Sequence, residues 1–148
     1  MEKERKIAIA SDHAGFDLKE IIIKFLKEQG YSVVKDFGTK NKESCDYPDY
    51  VHPLAMAVQT HIYDFGIVIC GSGNGVNITA NKHREIRSAL CWEPEIARLA
   101  RAHNNANVLA LPARYISAEL AKEIVFAFLT TEFEGGRHEK RVEKINVM

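Results

Sequence analysis

Apolar runs of strand length alternate along this chain with longer stretches in which apolar residues recur every three or four positions. Lys6-Ile7-Ala8-Ile9-Ala10 predicts a buried first strand, and Gly15 to Gln29 predicts a helix that turns Phe16, Ile22, Ile23 and Leu26 inward before Gly30 stops it. Tyr31 to Phe37 predicts a second strand. A polar loop from Gly38 to Pro48 closes on Asp46-Tyr47-Pro48-Asp49, and Val51 to His61 follows with helical spacing despite Pro53. Phe65 to Cys70 predicts strand three, and Val76 to Lys82 a helix after the turn that follows it. Arg87 to Cys91 and Asn107 to Leu111 predict strands four and five, separated by a helix that Pro94 starts and that ends near His103-Asn104-Asn105. Ser117, with Glu119 and Lys122, opens another helix, and Arg137 to Val147 predicts a C-terminal one after Gly135-Gly136. Five strands alternating with helices imply an α/β fold, a parallel Rossmann-like sheet covered on both faces as a three-layer αβα sandwich.

Composition narrows the functional classes. At 148 residues and 46% hydrophobic, the chain fits one compact domain, residues 1–148, with no linker, repeat or low-complexity block. Twenty basic and twenty acidic residues cancel, so no global field attracts nucleic acid or an anionic membrane, and any anion site must be local. The charged start leads into too few apolar residues for a signal-peptide core or a membrane span, which predicts a soluble cytoplasmic protein. Cys45, Cys70 and Cys91 are an odd number at spacings of neither a zinc site nor a disulfide framework, and read as reduced thiols.

Candidate chemistry concentrates at Cys70-Gly71-Ser72-Gly73-Asn74-Gly75, where an apolar strand runs into a glycine-rich turn. Ligands bind at that end of a strand in an open parallel sheet. Alternate glycines let backbone N–H groups approach an anion, and the helix that follows presents its positive end. Asp12 and His13 follow strand one, while Trp92 and Glu93 follow strand four, so all these groups are expected on one rim. Each has a plainer reading. Free cysteines are commonly small buried hydrophobes, which suffices for Cys45 and Cys91. Asp12 could cap the next helix and His103 could balance the end of its own. Arg137 and Arg141, one helical turn apart, could belong to a solvated face. His52, His61 and His83 suggest no function.

Five separated motifs resemble the type B ribose-5-phosphate isomerases and the related galactose-6-phosphate isomerase subunits. They are Ser11-Asp12-His13-Ala14-Gly15, Asp46-Tyr47-Pro48, Cys70 through Gly75 with Ala80-Asn81-Lys82, His103-Asn104, and Gly135-Gly136-Arg137-His138 with Arg141. The resemblance spans nearly the whole chain. It implies an αβα sandwich, a sugar-phosphate aldose–ketose isomerase without metal or cofactor, and a homodimer or dimer of dimers whose sites are completed by a second subunit. Some members of that family lack the cysteine and carry glutamate just after the glycine turn. Val76 occupies that position here, so Cys70 is the base that remains.

The reaction so implied moves a proton between C2 and C1 of ribose 5-phosphate and ribulose 5-phosphate through an enediolate, after ring opening. A thiolate is the competent base, and an ordinary thiol near pKa 8.5 is only a few per cent ionised at neutral pH. Cys70 is assigned proton abstraction, and the backbone of Gly71, Ser72, Gly73, Asn74 and Gly75 the enediolate oxygens. His103 suits ring opening, with Asp12 orienting a ring hydroxyl. His13, Arg114, Arg137 and Arg141 fall to the phosphate, and Tyr47 and Asn104 to sugar hydroxyls. A dinucleotide-binding oxidoreductase fits poorly, because the turn lacks the third glycine of G-x-G-x-x-G and follows strand three. A cysteine phosphatase loop would resemble C-x5-R, and position 76 is valine. A non-catalytic sugar-phosphate sensor, and an isomerase of galactose 6-phosphate or allose 6-phosphate, stay open.

Overall fold

The fully apolar segments of the sequence become the central strands. The computed structural model describes residues 4–147. Its elements are β1 (Ile7–Ser11), α1 (Phe16–Glu28), β2 (Val34–Asp36), α2 (Pro48–Gln59), β3 (Phe65–Cys70), α3 (Asn74–Ala80), β4 (Ser88–Leu90), α4 (Pro94–Asn104), β5 (Val108–Pro112), α5 (Ala118–Leu129) and α6 (Arg137–Glu143). Residues 1–3 and 148, part of the expected domain, lie outside the described residues. The strands form one sheet in the order β2-β1-β3-β5-β4, with every pair parallel.

Strands β1, β3 and β5 are buried along their whole length, as strands covered on both faces must be. Their alternation sorts two cores. Ile7, Ile9, Ile67, Ile69, Leu109 and Leu111 face α1, α4 and α5, where Ile22, Leu26, Ala97, Ile124 and Phe128 pack on them. Ala8, Ala10, Val68, Cys70, Val108 and Ala110 face the other way, against Val51, Leu54 and Val58 of α2 and Val76 and Ala80 of α3. The expected three-layer αβα sandwich is therefore present. No helix among the described residues is long and apolar enough to cross a membrane.

Several boundaries differ from expectation, each for a local reason. Strand two pairs only over Val34–Asp36, not Tyr31 to Phe37, because it is an edge strand with β1 as its one neighbour. Strand four, on the opposite edge, is likewise short. Helix α2 starts at Pro48 instead of Val51, since proline suits a first helical turn. Helix α3 starts at Asn74, directly after a left-handed Gly73, and α6 ends at Glu143 well before Val147. On α1, Phe16 and Ile23 are only partly buried, whereas Leu18 and Lys19 are buried. Lys19 is fully buried because its ammonium bonds Asp36 at 2.8 Å and Glu20 at 3.0 Å while lying 5.0 Å from the Phe16 ring centre. Cys45, expected as a buried hydrophobe, is only partly buried, since its loop runs over the surface; Cys91 is fully buried.

Candidate active site

The strand order reverses between β1 and β3, and the crevice beyond their carboxyl ends is where an open α/β sheet offers a ligand site. A cavity of about 330 Å³ opens there, lined by Asp12, His13, Tyr47, Cys70, Gly71, Ser72, Gly75, Arg114, Ala14 and Tyr115. Eight of the residues singled out in the sequence thus converge, from four separate loops or turns. Trp92 and Glu93 do not line this cavity. They follow the edge strand β4, and β5 lies between that strand and β3.

Backbone bonds hold the cavity walls in register. The Asp12 amide donates to the Ile69 carbonyl at 3.2 Å, joining the end of β1 to β3. The Arg114 amide donates to Gly71 at 3.0 Å and Ala113 to Cys70 at 2.9 Å, so the loop after β5 carries Arg114 over the glycine turn. Asp12 does not cap α1, whose N-cap is Gly15 without a side-chain bond; its Oδ1 accepts from the Gly15 amide at 3.1 Å and closes the turn before the helix. His13 Nδ1 accepts from the Cys45 amide at 3.3 Å, which leaves Nε2 as the donor of the neutral ring.

Cys70 lies at the floor of the cavity, 5% exposed, and its Sγ accepts from the Gly73 amide at 3.2 Å. A thiolate accepts that bond better than a thiol does. The bond depends on Gly73 adopting φ +78°, and a Cβ at this position would strike Leu90 and crowd the backbone at Leu111 and Pro112. Glycine is therefore required by both conformation and space. A Cβ at Gly75 would meet the outer end of the Tyr47 ring, so a larger residue there would push Tyr47 from its place in the cavity wall. Asn74, exposed at the start of α3, does not line the cavity.

The remaining candidates lie elsewhere. His103 and Asn104 end α4, which leads into the N-terminal end of β5, whereas Cys70 pairs with Pro112 at the C-terminal end. The four residue steps of β5 between these levels span roughly 13 Å. Arg137 and Arg141 lie on α6, which packs against α4, and neither lines the Cys70 cavity. The ring of His103 stacks on His138, 4.2 Å between centres and 12° between planes, with Glu134 Oε1 3.5 Å from His138 Nε2. Burial lowers the pKa of His138, reinforced by His103, Arg137 and Arg141 and opposed by Glu134. Sequence reasoning missed Tyr115, although the C-terminal end of a fifth parallel strand must reach the same rim. It also assigned nothing to Arg101, which is buried and fastens the last turn of α4 to the Thr131 and Ala106 carbonyls at 3.1 and 2.7 Å.

Known proteins share this fold. The chain is 48% identical over 144 residues to ribose-5-phosphate isomerase B of Escherichia coli, covering 97% of this chain and 96% of that protein. A ribose 5-phosphate isomerase from Thermotoga maritima superposes with a TM-score of 0.94 at 54% identity, covering 97% and 98% of the two chains. Ribose-5-phosphate isomerase B from Mycoplasma genitalium, solved with bound ribulose-5-phosphate, superposes with a TM-score of 0.92 at 42% identity over 97% and 95%. The family model for Ribose/Galactose Isomerase matches residues 7–145, and with these relatives it makes the chain a member of the ribose/galactose isomerase family.

Proposed function

We propose that this protein interconverts D-ribose 5-phosphate and D-ribulose 5-phosphate through an enediolate, as a cytoplasmic enzyme of the pentose phosphate pathway. The observation that carries this reading is the convergence of Cys70, the glycine turn, Asp12, His13, Tyr47 and Arg114 on one cavity of about 330 Å³. That volume suits a phosphorylated sugar, with a base at the floor and cationic and hydroxyl-binding groups on the walls. Cys70 as thiolate takes the C2 proton, and the amides of the turn hold the developing oxyanion. The proton returns to C1 while the hydroxyl proton of O2 passes to O1, so no net charge is left. Asp12, Tyr47 and Asn104 hold sugar hydroxyls, while His13 and Arg114 begin a phosphate clamp that Arg137 and Arg141 complete.

His103, Asn104, Arg137 and Arg141 do not line the Cys70 cavity of their own chain, so we assign them to the cavity of a second subunit. The whole chain then acts as one isomerase domain in a homodimer or a dimer of dimers. Exposed Met56 on α2, Ile78 on α3 and Trp92 beyond β4 supply apolar surface for such an assembly. Initial rates on ribose 5-phosphate, ribulose 5-phosphate, galactose 6-phosphate and allose 6-phosphate test the reading. Turnover of the pentose pair at least tenfold above the hexoses is expected. A preference for a hexose would move the substrate assignment, and binding without turnover would make the protein a sensor.

A further inference from the structure

A second cluster, outside the Cys70 cavity, has the donor set of a transition-metal site. His103 lies in the last turn of α4, Glu134 in the loop between α5 and α6, and His138 in the first turn of α6. The three are held to one platform: the Glu134 amide donates to the Ala102 carbonyl at 3.0 Å, and the His138 amide to Gly135 at 3.1 Å. One ligand atom from each lies within 4.8 Å of the other two. Glu134 Oε1 is 3.5 Å from His138 Nε2 and 3.9 Å from His103 Nε2. Zinc bonds near 2.0–2.1 Å in a tetrahedron put ligand atoms roughly 3.3 Å apart, so the carboxylate must close only about half an ångström. The rings must do more. Stacked at 12°, their lone pairs run side by side, and one imidazole has to swing out for both to converge. His103, with 38% of its side chain exposed, has that freedom, while His138 at 10% is held.

We propose that His103, Glu134 and His138 bind a divalent transition metal, Zn2+ foremost, as a reversible inhibitory site. Two imidazoles and one carboxylate select Zn2+, Co2+, Ni2+ or Cu2+ over Mg2+ and Ca2+. Three protein ligands leave a fourth position to water. The neighbouring cations Arg137 and Arg141 oppose the ion, and only one carboxylate offsets its charge, so binding is weaker than at a closed structural site. A metal on His103 withdraws the imidazole from proton transfer. That inhibitory half rests on the proposed role of His103 in ring opening, whereas the metal site itself does not.

Zn2+ and Co2+ titrated into the metal-free protein without substrate read the site directly. Cobalt held by imidazole and carboxylate is expected to give visible d–d bands without a thiolate charge-transfer band in the near ultraviolet. Glu134→Gln, in an exposed loop, should weaken Zn2+ binding at least tenfold and raise the Zn2+ concentration for half-inhibition by the same factor, with turnover in chelator unchanged. A thiolate band, or Zn2+ affinity that survives Glu134→Gln and is lost in Cys45→Ser, would put the ion at Cys45 and His13 and overturn the proposal. Failure to bind either metal at millimolar concentration would also overturn it. Binding that depends on Glu134 yet leaves turnover intact would keep the metal site, refute its inhibitory role and count against His103 as the acid/base group.

Discussion

At the scale of single residues, the three thiols separate by environment in a way that their shared chemistry conceals. Cys91 is fully buried, and desolvation pushes its pKa up to about 12, so it stays a protonated thiol at any working pH. Cys45 is partly exposed, with its Sγ 3.9 Å from His13 Nδ1. Alkylation of the native protein at pH 8, followed by mass spectrometry, should therefore modify Cys45 first and Cys91 only after unfolding. Rapid labelling of native Cys91 would contradict its burial. Cys70 has a different consequence. In the proposed reaction its thiol acts on the reacting proton and not on ground-state binding, so Cys70→Ala should reduce turnover by at least about 10³-fold while sugar-phosphate affinity stays within about tenfold. Calorimetry and initial rates measure the two halves, and wild-type turnover in the variant would require another base. A nucleophile at a strand end beside glycines is readable from sequence because the residue type, the strand run and the turn are all local. The partners of His13, by contrast, come from a loop more than thirty residues away.

At the scale of elements, the turn from β3 into α3 carries the most constraint in the fewest residues. Gly73 closes the turn with φ +78° and aims its amide at Cys70, and neighbouring Leu90 and Leu111 leave no room for a methyl group. Gly73→Ala is expected to cost about 1–2 kcal/mol in backbone conformation alone, with a further cost for the displaced Leu90. Thermal unfolding should register the loss of stability. Turnover should fall further than stability explains, because the amide moves away from the sulfur. A variant with unchanged melting temperature and rate would contradict the geometry. Helix periods were legible wherever an apolar stripe faces the sheet, as on α4 and α5. The edge strands β2 and β4 were overextended, since a β-prone run shows where a strand can form but not how far its neighbour continues. Lys19 follows the same logic: a lysine at a buried helical position reads as solvent-facing in sequence, and only Asp36 of another element explains its burial.

At the scale of the whole molecule, the proposed reactive groups lie at two ends of the sheet. One end holds Cys70 and the cavity, and the other holds His103, Arg137 and Arg141. A homodimer that brings unlike ends together makes each site from two chains. Equal mixing of Cys70→Ala with Arg137→Ala subunits, each inactive alone, should then restore up to about a quarter of wild-type activity, since half the dimers are mixed and each has one intact site. Persistent inactivity after proven subunit exchange would put both residues in one chain's site, and a monomer in sedimentation would reject shared sites. The sequence by itself determined the layers, the parallel sheet, the glycine turn and the family resemblance, because apolar period, turn chemistry and motif order are properties of neighbouring residues. The strand order, the presence of Tyr115 in the Cys70 cavity and the separation of His103 from it appear only in the folded chain. Those depend on which strands lie side by side and which end of each is reached by its connection, and distance through the fold is not written in distance along the chain.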